Sequence, residues 1–254
     1  MNTPDPEPIH PVERNHHPVA LPALTKDAPA RLFFGGSFDP PHTAHIKLPI
    51  LAAQTIEQHH NLAPNSCHLV YVPAARSPFK DQEPTPDQHR IEMLKRALAD
   101  IKQPNTIWTQ ELADGLHNPD QPSYWADTWS IARSMTTAGI NRFLIGADQA
   151  KSMHHWHRYQ EFWKDAVVLL REEDPSPESA PISPESLIED LKLTGAWSQV
   201  DIAHWTTAIL QIPTLNASST DLRTRLTDPA TRELKTPELS PGVHEYILEH
   251  KLYL

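Results

Sequence analysis

Short apolar runs alternate along this chain with segments whose apolar residues recur every three or four positions. The runs at 31–35, His68 to Val72, Thr106 to Trp108, Arg142 to Asp148, Ala166 to Leu170 and Ala208 to Ile212 read as six strands. The fifth is apolar throughout, as a strand covered on both faces should be. Between them the spacing predicts a helix from about residue 42 to His59, with Ile46, Leu48, Ile50 and Leu51 on its apolar side and a kink or break at Pro49. Further helices are predicted over Asp87 to Asp100, from Ser123 onward, over Ser186 to Leu193, and near the C-terminus, where Val243, Tyr246 and Ile247 share a face. Asp114 to Gln121 reads as a loop. Strands alternating with helices predict an α/β fold: a parallel sheet with helices on both faces.

Composition adds two unstructured stretches to this picture. There are 26 prolines in 254 residues, and they crowd two regions. Residues 1–29, rich in Pro, His and acidic groups, read as a disordered tail. Residues near 172–200, with Pro175, Pro177, Pro181 and Pro184 among Ser and Glu, read as an inserted loop. The folded domain is then 30–254. A net charge of −10 argues against a general nucleic-acid or membrane-surface binder, so any phosphate ligand needs a local positive site. Cys67 is the only cysteine, which excludes an intrachain disulfide and a thiolate zinc cluster. There is no signal-peptide pattern and no apolar run of membrane-spanning length, so the expectation is a soluble protein of the cytoplasm.

The chemistry gathers where the first strand ends. Residues 35–45 read Gly-Gly-Ser-Phe-Asp-Pro-Pro-His-Thr-Ala-His. Gly35 and Gly36 let the backbone approach a ligand. The helix start that follows offers N–H groups and partial positive charge to a phosphate. His42 and His45, three apart, share one face of that helix. A second such site stands late in the chain, at Ser218-Ser219-Thr220-Asp221-Leu222-Arg223. Ser218 or Ser219 can cap a helix there, and Arg223, a turn further on, can fork onto phosphate oxygens.

The first stretch resembles the signature of the nucleotidyltransferase superfamily, Gly-Gly-x-Phe-Asp-Pro-x-His-x-Gly-His, and is most similar to that of bacterial nicotinate-nucleotide adenylyltransferases. The second resembles that family's Ile-Ser-Ser-Thr-x-Ile-Arg. Intermediate matches fall in order: Lys80 in the loop after the second strand, Arg90 and Met93, Ser123-Tyr124 with Thr128, Gly146-Ala147-Asp148, Trp156 with Arg158, and the C-terminal helix. Three departures stand out. Ala44 replaces a glycine, Phe79 a histidine and Trp125 a threonine.

The resemblance implies a Rossmann-like nucleotidyltransferase domain that joins ATP to nicotinate mononucleotide, releasing pyrophosphate. It implies that His42, His45, Lys80 and Arg223 stabilise the transferring and leaving phosphates. It assigns ATP to Gly35, Gly36, Ser37, Phe38, Gly146, Asp148, Ser218, Ser219 and Thr220. The pyridine nucleotide falls to Tyr124, Thr128, Trp156 and Arg158, with Trp156 stacking on the ring. Asp148 would hold ribose hydroxyls or help arrange a metal–phosphate complex. Magnesium would arrive with ATP, without a dedicated protein cage, and Arg90 would be structural. A nicotinamide-mononucleotide enzyme and a catalytically weak nucleotide-binding regulator remain as alternatives.

Overall fold

The computed structural model describes residues 18–75, 84–118, 123–136, 139–170, 183–213, 215 and 217–254. In chain order the elements are α1 (Ala23–Lys26), β1 (Ala30–Gly36), α2 (Thr43–His59), β2 (Cys67–Pro73), α3 (Asp87–Leu98), β3 (Asn105–Ile107), α4 (Gln110–His117), α5 (Trp125–Met135), β4 (Ile140–Gly146), α6 (Ala147–Ser152), β5 (Ala166–Leu169), α7 (Pro184–Leu193), α8 (Gln199–Ala208), β6 (Ile209–Leu210), α9 (Ser219–Thr227) and α10 (Pro241–Glu249).

All six strands form one parallel sheet in the order β3-β2-β1-β4-β5-β6. Alternate residues of each strand face opposite sides. Phe33, Val70, Val72, Phe143, Ile145 and Val168 enter one core with Trp129, Trp205 and Leu187 from α5, α8 and α7. Leu32, Leu69, Tyr71, Leu144, Val167 and Leu169 enter the other, under α2 and α3. A third cluster joins Met93 of α3 to Leu222 and Leu226 of α9 and to Val243 and Ile247 of α10.

The strand order reverses between β1 and β4. The chain winds outward from β1 through β2 to β3, then returns to β4 and winds the other way. Pairing of β1 with β4 ends at Phe34 and Leu144, so Gly35 and Gly36 continue past it. Ligands of open α/β sheets sit at such a reversal, outside the carboxyl ends of the strands.

Several sequence expectations need correction. Residues 18–29 are not a tail: Leu21 and Thr25 are buried, and the segment lies along the sheet as a strap. The Val19 N–H donates to Gln110 Oε1 at 2.7 Å, and Trp108 Nε1–H donates to the Val19 carbonyl at 2.7 Å. The buried guanidinium of Arg31 donates to the carbonyls of Thr25 and Lys26. The proline-rich composition hid these partners, two of which, Trp108 and Gln110, lie 89 and 91 residues away in sequence. Residues 1–17 lie outside the described residues.

Within the stretch expected as an inserted loop, the helix expected over Ser186 to Leu193 is present as α7, and α8 begins there unexpectedly. Residues 171–182 lie outside the described residues, but α7 and the start of α8 fall within 183–200. Ser183 caps α7 by accepting from the Ser186 N–H at 3.1 Å, and Leu187 and Leu191 bury one face. The segment expected as a loop from Asp114 carries the second half of α4. The sixth strand is shorter than expected, because α8 runs on to Ala208. Pro49 does not break α2; its missing N–H removes one bond to the His45 carbonyl, and the flanking turns hold the rest.

Candidate active site

The loop Ser37–Pro41 joins β1 to α2 and brings His42 to the helix start. It is held from four distant places. The Arg90 guanidinium, fully buried on α3, donates to the Ser37 carbonyl at 2.8 Å and to the Thr85 carbonyl at 3.0 Å. Arg223 Nη1 of α9 donates to the Asp39 carbonyl at 2.7 Å, and Ser219 Oγ donates to the Pro40 carbonyl at 3.0 Å. The buried Asp39 carboxylate accepts from the Thr85 N–H at 3.1 Å and from the Tyr253 hydroxyl at 2.6 Å. The Thr43 N–H donates to the Glu238 carbonyl at 2.7 Å. The two stretches singled out in the sequence, 35–45 and 218–223, therefore meet in direct hydrogen bonds.

His42 is buried, and its ring stacks on that of His45 with centroids 3.7 Å apart and planes 19° from parallel. His45 Nδ1 lies 3.4 Å from the His42 N–H. A ring accepting at Nδ1 is left with Nε2 as its donor. So one of the N-terminal donors of α2 goes to His45 and another to Glu238. Behind the pair, Phe34, Phe38 and Tyr71 close an aromatic wall around His45, with centroids 5.2 to 6.1 Å apart. Phe38 is 1% exposed and belongs to that wall. Its expected contact with ATP is corrected: the side chain packs in the core, while its backbone, at φ 50°, makes the turn.

On α9, Ser218 is the N-cap, accepting from the Asp221 N–H at 3.4 Å. Thr220 is exposed, and its hydroxyl accepts from Arg223 Nη2 at 3.2 Å. Ser218, Ser219, Thr220 and Arg223 thus line one edge of the signature loop. At the end of β4 the Gly146 N–H donates to Gln149 Oε1 at 3.1 Å, and Asp148 is exposed in the first turn of α6. Lys80 lies outside the described residues.

The residues expected for the pyridine nucleotide gather around the start of α5. The Tyr124 ring stacks on His157 at 4.4 Å. Half-buried Trp156 precedes them, and Arg158 pairs with Asp127 at 2.9 Å and with Glu161 at 2.7 Å. Arg158 holds the Glu161 carboxylate below its ordinary range. Trp125 packs on Phe143 at 5.4 Å and reaches Gly35: a Cβ added there would sit 3.2 Å from its ring. The indole thus borders both the glycine pair and the Tyr124 region. Thr128 is corrected: it is 2% exposed, and its hydroxyl donates to Glu111 Oε1 at 3.3 Å instead of facing a ligand.

Sequence reasoning missed Glu111, Asp39 and Tyr253. Burial pushes the Glu111 carboxyl up to about 7, with Asp114 adding to the shift and the Thr128 hydrogen bond and Arg90 opposing it. Burial, reinforced by Asp39, pushes the Tyr253 phenol up, so it stays a donor. A cavity of about 130 Å3 opens elsewhere, at the amino edge of the sheet, among His59, His60, Arg142, Lys164 and His204. The C-termini of α2 and α8 end there, and cations are the ordinary complement of helix C-termini. None of the expected site residues lines it.

Comparison with known proteins gives the family and the fold. The family profile described as cytidylyltransferase-like matches residues 33–225. A Pseudoalteromonas atlantica protein named "Probable nicotinate-nucleotide adenylyltransferase" is 29% identical over 228 residues, covering 89% of this chain and 95% of its own. A Yersinia pestis protein of the same name is 30% identical over 209 residues, covering 81% and 88%. In fold the chain is similar to the Plasmodium falciparum nicotinic acid mononucleotide adenylyltransferase complexed with NaAD, at a TM-score of 0.58 and 16% identity, over 88% of this chain and 97% of that one.

Proposed function

Because this chain belongs to the cytidylyltransferase-like family, we propose that it transfers the adenylyl group of ATP to nicotinate mononucleotide, yielding nicotinate adenine dinucleotide and pyrophosphate in the cytoplasmic synthesis of NAD. The observation that carries this reading is the junction of the two phosphate-binding stretches. Arg223 and Ser219 of α9 bond to the carbonyls of Asp39 and Pro40, three and two residues before His42. One pocket edge therefore collects two imidazoles, a guanidinium, hydroxyls and helix-start N–H groups on a chain whose net charge is −10.

A 5′-phosphate oxygen of the mononucleotide attacks the α-phosphorus of ATP in line. The new P–O bond forms as the bond to the β-phosphate breaks, and that electron pair leaves with pyrophosphate. The attacking oxygen is already anionic near neutral pH, so the step needs positioning and charge stabilisation more than a strong base. His42 and His45 take the ATP phosphates, His45 through Nε2–H. Arg223, with Lys80, neutralises the leaving β- and γ-phosphates, aided by Ser218, Ser219 and Thr220. Gly35, Gly36 and Ser37 give the nucleotide a close backbone approach, and Gly146 and Asp148 face its ribose. Tyr124, Trp156 and Arg158 form the pyridine side, with Thr128 supporting that wall from within. Magnesium carried with ATP would neutralise charge on its phosphates, with Asp148 placed to help arrange the complex.

Pyrophosphate release by the purified protein, with ATP, magnesium and either nicotinate or nicotinamide mononucleotide, tests the reading. We expect turnover with nicotinate mononucleotide at least tenfold above the amide, on the order of one polar contact. Preference for the amide moves the assignment to the nicotinamide enzyme. ATP binding without release from either overturns the catalytic reading in favour of a regulatory one.

A further inference from the structure

We propose that Tyr253, the penultimate residue, is a positioning residue for adenylyl transfer, fastening the loop that carries His42 through the Asp39 carboxylate. This rests on the function proposed above and adds a residue to it. The phenol hydroxyl donates to Asp39 Oδ1 at 2.6 Å, across 214 residues of sequence. Tyr253 adopts φ 62°, a left-handed turn that a non-glycine residue takes only where its surroundings hold it. Asp39 is 7% exposed and joins three segments: Oδ1 takes the Tyr253 hydroxyl, Oδ2 takes the Thr85 N–H, and its carbonyl takes Arg223 Nη1.

These contacts divide the labour around the loop. Arg223 holds Asp39 by its backbone and is also assigned to phosphate, so its grip changes when ATP binds. Tyr253 and Thr85 hold the same residue by its side chain and are assigned no ligand. They fix Asp39, and with it His42, while Arg223 turns to phosphate. A charge-assisted O–H···O⁻ bond of this length is among the stronger single contacts available for that purpose. Burial and the neighbouring carboxylate keep the phenol protonated, so the bond persists across the working pH range.

The test is Tyr253→Phe, which removes one oxygen and keeps the ring, together with Asp39→Asn, which keeps the phenol and changes its partner. Two properties are read: kcat and KM for both substrates, and the imidazole NMR signals of His42 and His45, which need no turnover. A positioning role predicts a kcat about tenfold lower or more in each variant, with both KM values within about threefold, and displaced His42 and His45 signals. The double variant should fall no further than the worse single one, because both changes act on one contact. A merely structural role lowers the unfolding midpoint and leaves kcat and the imidazole signals of the folded protein unchanged; that result overturns the proposal. If the wild-type protein turns over neither mononucleotide, the catalytic reading fails on its own. The fastening is then judged on the imidazole signals, which support it if displaced in both variants and overturn it if unmoved.

Discussion

Glu111 is a carboxyl held where water hardly reaches, beside the Thr128 hydroxyl. An unfolded glutamate loses its proton near pH 4.5, whereas Glu111 in the fold keeps its proton up to about pH 7. Between those values the native state holds more protons than the unfolded one. Stability from this site therefore falls as pH rises, and the penalty, absent below the lower value, reaches roughly 3 kcal/mol above the higher. Glu111→Gln, which cannot ionise and still accepts from Thr128, should be the more stable protein at about pH 8 and lose that advantage near pH 4. Urea unfolding of both proteins at the two pH values measures it; a constant difference would contradict the assignment. Glu111 was not legible in the sequence, where it is one more acidic residue in a chain with 32 of them. Gly35 to His45 was legible because its chemistry is contiguous. Asp39 and Tyr253 were not, because nothing local tells a buried carboxylate which distant hydroxyl will reach it.

At the scale of elements, α9 shows how a cap and a ligand group share one helix. Ser218 secures the first turn, worth about 1 kcal/mol. Arg223, one turn on, divides its fork between the Asp39 carbonyl and the Thr220 hydroxyl. Lysine has no fork, so Arg223→Lys should lower kcat/KM by roughly ten- to a hundredfold while the unfolding temperature moves only a few degrees. Steady-state kinetics beside a thermal melt separate the two effects. The elements that sequence reading missed had opposing local signals. Gly115 and Asn118 read as a turn, yet α4 forms, and Gly115 fits because a Cβ there would sit 2.6 Å from that of Ala75. For α8 a readable signal did exist: Ser198 and Asp201 cap one another, each side chain accepting the other's N–H.

For the whole molecule, the strap of residues 18–29 belongs to the fold. It covers apolar surface with Leu21, satisfies Trp108 and supplies carbonyls to the buried Arg31. Deleting residues 1–28 would strand that guanidinium without two of its partners, at a cost of about 3 kcal/mol or more. For a chain of this length that corresponds to an unfolding temperature lower by roughly 10 °C, which calorimetry of the truncated protein measures. An unchanged temperature would show the strap to be dispensable. The doubly wound sheet itself was readable from alternating apolar runs, because buried parallel strands and amphipathic helices follow different periods. The strap was not, because composition reports the average character of a segment and says nothing of what it touches.

The approach of Trp125 to Gly35 has a consequence for how this chain can change. With the indole in place, alanine at position 35 meets a ring only 3.2 Å away; with threonine at 125, as in the family the chain resembles, that space opens. The two positions therefore accept change in one order and resist it in the other. A survey of single substitutions at Gly35 would therefore read two constraints at once, the nearby indole and the nucleotide's close approach.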